Sequence, residues 1–310
     1  MKQARQTSYQ STKRLVESAL MVAVATALSL FTVAQLPYGG SVTVASMLPI
    51  ILIAYRHGIG WGLGAGAAYA VLQQLLGLSN LSYFTTWQSI VAIILLDYLL
   101  AFTVAGLGGV FRRVIKRQSM ALVCGALLAS VLRYACHVIS GATVWAGLSI
   151  PTEAALLYSC GYNATYMLPE TIVLLLAAWY LGSVLDFRRE QPVRMVSDAG
   201  EKASSGWMAV IMAVGAIVVA ADTVLIFHNL QNGETGEFDF SGLAAESFAD
   251  SCWLPVLVVT AVGVLVIAGL LVARRHILSK AIAEQASGCI KDETTVQNGE
   301  ISAKQESIDQ

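Results

Sequence analysis

Residues 133–145 read RYACHVISGATVW and carry polar and aromatic side chains within an otherwise apolar segment. At the rotation of an α-helix, one arc of about 100° contains three of them, Arg133, Tyr134 and His137, together with Gly141. Trp145 falls at the edge of that arc. One helix face therefore offers a cation, a phenol, an imidazole and a glycine that permits close approach. Because ionisable groups are costly inside a bilayer, this face is a candidate binding site.

Other polar residues in apolar segments extend this candidate site. Asp97 supplies a carboxylate, and Tyr98 and Tyr158 are expected at a depth similar to that of residues 133–145. Aromatic rings beside a carboxylate and an imidazole suit a flat, cationic heteroaromatic ligand, through stacking, cation–π attraction and hydrogen bonding. In the segment YSCGYN, Asn163 can both donate and accept hydrogen bonds, which suits an aminopyrimidine-like edge.

Each of these residues also has a purely structural interpretation. Arg133 would pair with Asp97 only to neutralise two buried charges, and His137 would be a helix-packing residue. Asn163 would satisfy a polar group of a neighbouring helix. Glu170, one residue after Pro169, would be either a group behind the site or a member of a structural ion pair. These alternatives stay open at the level of the residues alone.

The composition identifies a polytopic membrane protein. Of the 310 residues, 56% are hydrophobic and 13% are charged, whereas about a quarter of a soluble domain is charged. The lipid bilayer is the expected surrounding, and no nucleic acid is expected as a partner. Apolar runs predict an all-α protein with helices over 15–36, 42–55, 59–77, 88–110, 119–142, 154–185, 207–228 and 253–274. Pro49 is expected to interrupt the second, short helix.

Basic residues are concentrated at every second connection between the predicted helices, as at Lys13, Arg56, Arg113 and Arg188. The positive-inside rule then predicts a cell-membrane protein with both termini in the cytoplasm. The expected organisation is a cytoplasmic segment at 1–14, a six-helix substrate-binding core at 15–185, a cytoplasmic linker at 186–206, an additional transmembrane hairpin at 207–274 and a disordered cytoplasmic tail at 275–310.

The sequence lacks motifs of nucleotide hydrolysis and of hydrolytic catalysis. It contains no GxxxxGK[ST] loop, no HExxH and no GxSxG, so no P-loop, catalytic residue or cofactor is assigned. The five cysteines show no metal-type spacing, and no metal site is expected. An ion-coupled secondary transporter that uses Asp97, Glu170 or Asp222 is the alternative class, although no obvious internal repeat supports it.

Several segments together resemble the thiamine-specific S component of energy-coupling factor (ECF) transporters. They lie within residues 12–185 and read LVESALMVAVATALSLF, PYGGSVTVASMLPIILIAYRHG, LDY, RYACHVISGATVW and YSCGYN. The resemblance implies a membrane subunit that captures thiamine from outside without hydrolysing ATP itself. It further implies delivery inward through a transmembrane coupling subunit and two cytoplasmic ATPase subunits. A related pyrimidine or thiazole compound is the alternative substrate.

The resemblance also implies roles for individual residues. It puts His137 and Trp145 against the thiazolium and gives Asp97 the acidic role that a glutamate holds in the family. It assigns Tyr158 and Asn163 to the aminopyrimidine. Together these roles predict how the ligand lies in the site, with its thiazolium at His137 and Trp145 and its aminopyrimidine at Asn163.

Further implied positions include two departures from the family pattern. Tyr98 and Gly141 are implied near the hydroxyethyl side of thiamine. Arg133 stands where the compared family member has lysine, which is not an equivalent hydrogen-bond donor. Gly40 stands where that member has tryptophan, so the 38–43 loop is expected to close the pocket differently. On the first helix, Ala19 and Ala23 match the family's small-residue surface for the coupling subunit, whereas internal packing is the alternative.

Overall fold

The computed structural model describes residues 2–36, 39–145, 147–195, 199–231, 251–277 and 279–280. The helices are α1 (Lys2–Leu30), α2 (Leu48–His57), α3 (Ile59–Leu76), α4 (Trp87–Arg112), α5 (Gln118–Trp145), α6 (Glu153–Val184), α7 (Ala199–Leu230) and α8 (Leu254–Ile277). Two antiparallel strand pairs join them: β1 (Thr32–Gln35) with β2 (Ser41–Thr43), and β3 (Leu185–Asp186) with β4 (Val193–Arg194).

The helices are those of an integral membrane protein. Within the described ranges, five helices are long and apolar enough to cross a membrane, namely α4, α5, α6, α7 and α8. Large apolar side chains such as Leu127 and Leu157 are exposed on them, as expected where lipid rather than protein surrounds a helix. The prediction of an all-α membrane protein is therefore confirmed.

The structure corrects the bounds of the first two predicted helices. α1 ends at Leu30, and Thr32–Gln35, predicted as its last turns, forms β1 instead. α2 begins at Leu48 rather than at residue 42, with Pro49 in its first turn. Proline fits there because amides of the first turn have no intrahelical acceptor. Pro49 therefore starts this helix and does not interrupt it.

A buried core ties α1 to α6 together. It is one cluster to which all six helices contribute, with Tyr55, Tyr69 and Leu122 fully buried. α5 packs most extensively on α6 and also closely on α4. Gly125 permits the contact with α4, because a Cβ atom there would lie 1.9 Å from the carbonyl oxygen of Gly108. The core thus fixes the helices that carry the predicted site.

A polar network joins the middle of α1 and the end of α2 to the chain after α6. The buried Arg56 guanidinium pairs with the Glu17 carboxylate of α1 and donates to the Phe187 carbonyl at 3.2 Å. Lys13 donates to the Glu190 carboxylate at 2.8 Å, and this hydrogen bond lowers the pKa of Glu190. α1 is therefore attached to the core by charge as well as by apolar packing.

The chain divides into two compact units, residues 1–195 with 212–263 and residues 196–211 with 264–310. The first unit contains α1 to α6 and the adjoining parts of α7 and α8. In the second, residues 199–211, 264–277 and 279–280 are helical. The segment predicted as a linker contains β3 and β4 strand residues, and α7 begins within it at Ala199. Most of the predicted disordered tail, from 281 to 310, lies outside the described residues.

Candidate binding site

A cavity of about 750 Å³ lies among α3 to α6 and the β1–β2 hairpin. Most of the predicted site residues line it: Asp97, Tyr98, Arg133, His137, Gly141, Trp145, Tyr158 and Asn163. Within the described chain, Tyr134 is not part of this wall, and its hydroxyl donates to the Cys160 carbonyl at 2.9 Å. The volume falls within the range typical of small-molecule pockets.

Asp97 links α4 to α5 at the cavity. Its Oδ1 atom lies 3.0 Å from His137 Nδ1, and its Oδ2 atom accepts a hydrogen bond from Trp145 Nε1 at 3.2 Å. An ionised carboxylate only accepts, so a neutral imidazole donates from Nδ1 and keeps Nε2 as an acceptor. The buried Nε2 atom has no hydrogen-bond partner among the residues that the structure describes. His137 is thus oriented by Asp97 and keeps one ring nitrogen for a ligand.

Two π-helical turns present these side chains. Asp97 and Tyr98 lie in the turn Ile94–Leu100 of α4, and Trp145 ends the turn Gly141–Trp145 of α5. A π turn inserts one residue into the helical repeat, changes the direction of the side chains and is frequent at functional sites. At regular α-helical spacing, Trp145 falls at the edge of the site face. With both turns, its indole reaches the Asp97 carboxylate.

Arg133 pairs with Glu170 and not with Asp97, which corrects the structural interpretation of the sequence. Arg133 Nη1 donates to Glu170 Oε2 at 2.8 Å, and the Thr43 hydroxyl donates to Glu170 Oε1. The guanidinium carbon lies 4.7 Å from the centre of the Phe102 ring. Arg133 lines the cavity, and its buried Nε atom has no hydrogen-bond partner in the described part of the chain.

The charges around the cavity do not balance. The opposite charges of Arg133 and Glu170 lie 2.8 Å apart and offset each other. The hydrogen-bond donors of Asp97 are His137 and Trp145, which are uncharged when the imidazole is neutral. With a neutral imidazole, the Asp97 carboxylate adds to the wall a negative charge that its described hydrogen-bond partners do not offset. Such a charge in a partly desolvated site favours a cationic ligand.

Tyr166 is a cavity residue that the sequence analysis missed. Its hydroxyl donates to Asn163 Oδ1 at 2.6 Å, while Asn163 Nδ2 donates to the Ser159 carbonyl at 2.8 Å. The Tyr166 ring centre lies 6.3 Å from that of His137. Residues three apart share a helix face, so the spacing from Asn163 is the signal that would have identified Tyr166.

The space next to Gly40 is occupied by tyrosines of α6. A Cβ atom at Gly40 would lie 3.0 Å from the Tyr162 hydroxyl and 3.1 Å from the Tyr166 ring. Tyr158 stacks on Tyr162, with ring centres 6.2 Å apart and planes 13° apart. Tyrosine side chains of α6 thus form the wall beside Gly40.

Tyr98 and Gly141 occupy positions that depend on close contacts. The Tyr98 hydroxyl accepts a hydrogen bond from Asn80 Nδ2 at 2.9 Å and donates to the Gly77 carbonyl at 3.3 Å. A Cβ atom at Gly141 would lie 2.2 Å from the Ser159 hydroxyl oxygen. Tyr98 therefore ties α4 to the end of α3, and Gly141 lets α5 approach α6.

The small residues of α1 face away from the protein. Ala19, Ala23 and Ala27 are exposed, whereas Val22 and Ala25 are buried in the core. Small residues at four-residue spacing allow close approach of another helix in lipid. The internal-packing interpretation of this row therefore has no support from the burial of these residues.

Sequence comparisons identify the family to which this chain belongs. The profile of the family described as "Thiamine transporter protein (Thia_YuaJ)" matches residues 15–186. "Thiamine transporter ThiT" of Bacillus subtilis (strain 168) is 36% identical over 171 residues, which cover 52% of this chain and 85% of that protein. The solved structure of ThiT from Listeria monocytogenes matches with a TM-score of 0.46 and 22% identity, and covers 56% of this chain and 94% of that chain. The chain belongs to the thiamine transporter protein family, a family of transporters and not of enzymes.

Proposed function

We propose that this protein is the thiamine-binding membrane subunit of an ATP-driven, ECF-type vitamin uptake system. The single observation that carries the proposal is the Asp97 carboxylate held between His137 and Trp145 at the cavity of a thiamine transporter family member. Thiamine consists of a cationic thiazolium, an aminopyrimidine and a hydroxyethyl group. The proposal assigns one part of the cavity to each.

The thiazolium binds beside Asp97, His137 and Trp145. The negative charge of the Asp97 carboxylate compensates the fixed positive charge of the ring, and the Trp145 indole adds cation–π attraction. The hydroxyethyl group lies towards Tyr98, Gly141 and the Arg133 guanidinium. Tyr134 contributes by packing behind this wall, because its hydroxyl already donates to a backbone carbonyl of α6.

The aminopyrimidine binds at Tyr158 and Asn163. Stacking on an aromatic ring suits its flat face, and the Asn163 amide suits its donor and acceptor edge. Since Asn163 already bonds to Ser159 and Tyr166, the ligand shares or exchanges these hydrogen bonds. Buried polar edges of this kind discriminate strongly against analogues that leave them unpaired.

Delivery of thiamine requires partner proteins. A transmembrane coupling subunit packs on the exposed small-residue row of α1 at Ala19 and Ala23, and two cytoplasmic ATPase subunits drive transport. Both termini of the chain lie in the cytoplasm, in agreement with the distribution of Lys and Arg. Replacement of Ala23 by leucine is expected to leave thiamine binding intact and to prevent co-purification with the coupling subunit.

Calorimetric titration of the purified protein in lipid nanodiscs tests the binding function. Thiamine is expected to bind tightly at a 1:1 ratio, and the absence of saturable binding would refute the proposal. His137→Ala is expected to weaken binding, while Ile139→Ala is a matched control because its side chain is exposed on the same helix. Thiamine phosphates, pyrimidine precursors and thiazole precursors, titrated in parallel, test the alternative substrates.

Uptake measurements in vesicles test the energy source. Thiamine accumulation is expected only when the coupling and ATPase subunits are present together with ATP. Accumulation driven by a proton or sodium gradient in vesicles that lack these subunits would instead identify an ion-coupled secondary transporter.

A further inference from the structure

The C-terminal end of α7 and the N-terminal end of α8 pack behind one wall of the cavity, although both helices lie outside the family match at 15–186. Phe227 and Leu230 at the end of α7 and Trp253 just before α8 are 7%, 2% and 4% exposed. They share one buried cluster with Leu36 and Val42 of the β1–β2 segment and with residues of α6. All of these residues belong to the first compact unit.

The β1–β2 segment forms part of the cavity wall. Leu36, Gly40, Ser41 and Thr43 line the cavity, and Val42 lies between two of these residues. The cluster that contains Phe227 and Leu230 therefore contacts the back of this wall. A substitution in that cluster therefore alters the position of the cavity wall, although the substituted residue does not contact the ligand.

The β1–β2 hairpin is too small to hold its own position. Its strands have four and three residues, and the pairing shifts register between Thr32 and Ala34. An isolated two-stranded hairpin is marginally stable at best in water, and it needs packing against other elements. Most of the other residues that line the cavity belong to long helices of the core, so the hairpin is a part of the wall that can open locally.

The ends of α7 and α8 are themselves fixed to each other. Asn229 Nδ2 donates to the Cys252 carbonyl at 2.8 Å, and the Gln231 amide donates to the Phe227 carbonyl at 2.9 Å. The first bond joins the end of α7 to the residue before Trp253, and the second continues the last turn of α7. Phe227 and Trp253 therefore present one connected apolar surface to the hairpin.

We propose that Phe227, Leu230 and Trp253 form a brace that holds the β1–β2 hairpin against the cavity and slows the release of bound ligand. They are positioning residues, because they act through Leu36 and Val42. The effect on thiamine release rests on the proposed function, whereas the effect on the hairpin does not. The additional helix pair thereby extends the residence time of the ligand beyond what the six-helix core achieves alone.

Hydrogen exchange and ligand release, measured on the full chain in nanodiscs, test the brace. In Leu230→Ala, the amides of residues 32–43 are expected to exchange about ten-fold faster. The dissociation rate of radiolabelled thiamine is expected to rise about ten-fold, with little change in the association rate. Leu257→Ala is the matched control, since the Leu257 side chain is 57% exposed on α8, and it is expected to change neither rate.

Two further variants separate the brace from a general loss of folding. Leu230→Met conserves the apolar volume and is expected to keep the exchange rate and the dissociation rate at their wild-type values. Phe227→Leu removes less volume than alanine does, and it is expected to raise both rates while exchange in residues 118–145 stays unchanged. Equal exchange of residues 32–43 in the wild type, Leu230→Ala and Phe227→Leu would overturn the brace. Lack of thiamine binding by the wild type would instead overturn the proposed function, with the exchange result still deciding on the brace.

Discussion

The Nδ1 atom of His137 lies 3.0 Å from the Oδ1 atom of Asp97, between α5 and α4. Two helices that are distant in sequence thereby share one polar contact at the cavity, and Trp145 joins it through the second carboxylate oxygen. The Asp97 carboxylate has two roles in this arrangement. It orients the imidazole and the indole, and in the proposed function it also supplies the negative charge beside the thiazolium.

Asp97→Asn tests the charge of this side chain. The amide keeps the size of the side chain and one acceptor oxygen, but it removes the charge and puts an NH2 donor in place of the second acceptor. We expect thiamine affinity to fall by about 30- to 150-fold, or about 2–3 kcal/mol, the magnitude typical of a charged hydrogen-bonded contact. Calorimetric titration measures this loss. Asp97→Glu keeps the charge and serves as the control, and unchanged affinity in Asp97→Asn would contradict the electrostatic role.

The Arg133–Glu170 pair gives a second prediction, on stability. Arg133→Met leaves the Glu170 carboxylate, 2% exposed, without its ion-pair partner. Removal of one member of a buried pair costs about 3–5 kcal/mol, whereas replacement of both by apolar residues is often neutral. We therefore expect Arg133→Met to lower the free energy of unfolding strongly and Arg133→Met/Glu170→Met to recover most of it. Equilibrium unfolding of the ligand-free protein measures both effects.

Thiamine binding by the same double variant resolves the role of Arg133 in the cavity. If Arg133 contacts the ligand, the double variant recovers stability but still binds thiamine about ten-fold more weakly than the wild type. Wild-type affinity in a stable double variant would show that Arg133 only compensates Glu170.

The long helices were predictable from the sequence, because a membrane span needs about 20 apolar residues and this signal is strong. The β1–β2 hairpin was not. Thr32–Gln35 continues the apolar run of α1, and its strand conformation depends on pairing with Ser41–Thr43. Pairing of this kind is set by tertiary contacts rather than by hydropathy. The corrected start of α2 at Leu48 follows from the same hairpin.

The candidate site was predictable in its members more than in its contacts. The residues on one face of α5 followed from helical spacing, and all but Tyr134 line the cavity. The partner of Arg133 depends on the rotation and depth of α6 relative to α5, which the sequence of α5 does not contain. The π turn around Asp97 likewise changes which side chains meet across the cavity.

Arg56 supports a third prediction, on the attachment of α1. Its guanidinium pairs with Glu17 and donates to the carbonyl oxygens of Phe187 and Glu190, each at 3.2 Å. Lysine cannot reproduce this planar set of donors. We expect Arg56→Lys to lower the free energy of unfolding by about 1–3 kcal/mol. Arg113→Lys, on an exposed side chain, is the control, and equal stability of the two variants would contradict the role of Arg56.

The close approach of α5 to α4 gives the last prediction, with two glycines that differ in their surroundings. A Cβ atom at Gly125 would lie 1.9 Å from the backbone oxygen of Gly108, whereas a Cβ atom at Gly64 of α3 meets nothing within 4 Å. Backbone cannot move aside as a flexible side chain does, so Gly125→Ala must push the two helices apart. We expect this overpacking to lower the free energy of unfolding by about 1–3 kcal/mol.

Gly64→Ala should instead be neutral or stabilise the protein by about 0.5–1 kcal/mol, because alanine has the higher helix propensity. Thermal unfolding of both variants measures the difference, and thiamine binding gives an independent readout. Since α4 carries Asp97 and α5 carries His137, separation of these helices lengthens the contact between the two residues. Gly125→Ala should therefore weaken binding together with stability, and wild-type stability and affinity in this variant would contradict the role of the close approach.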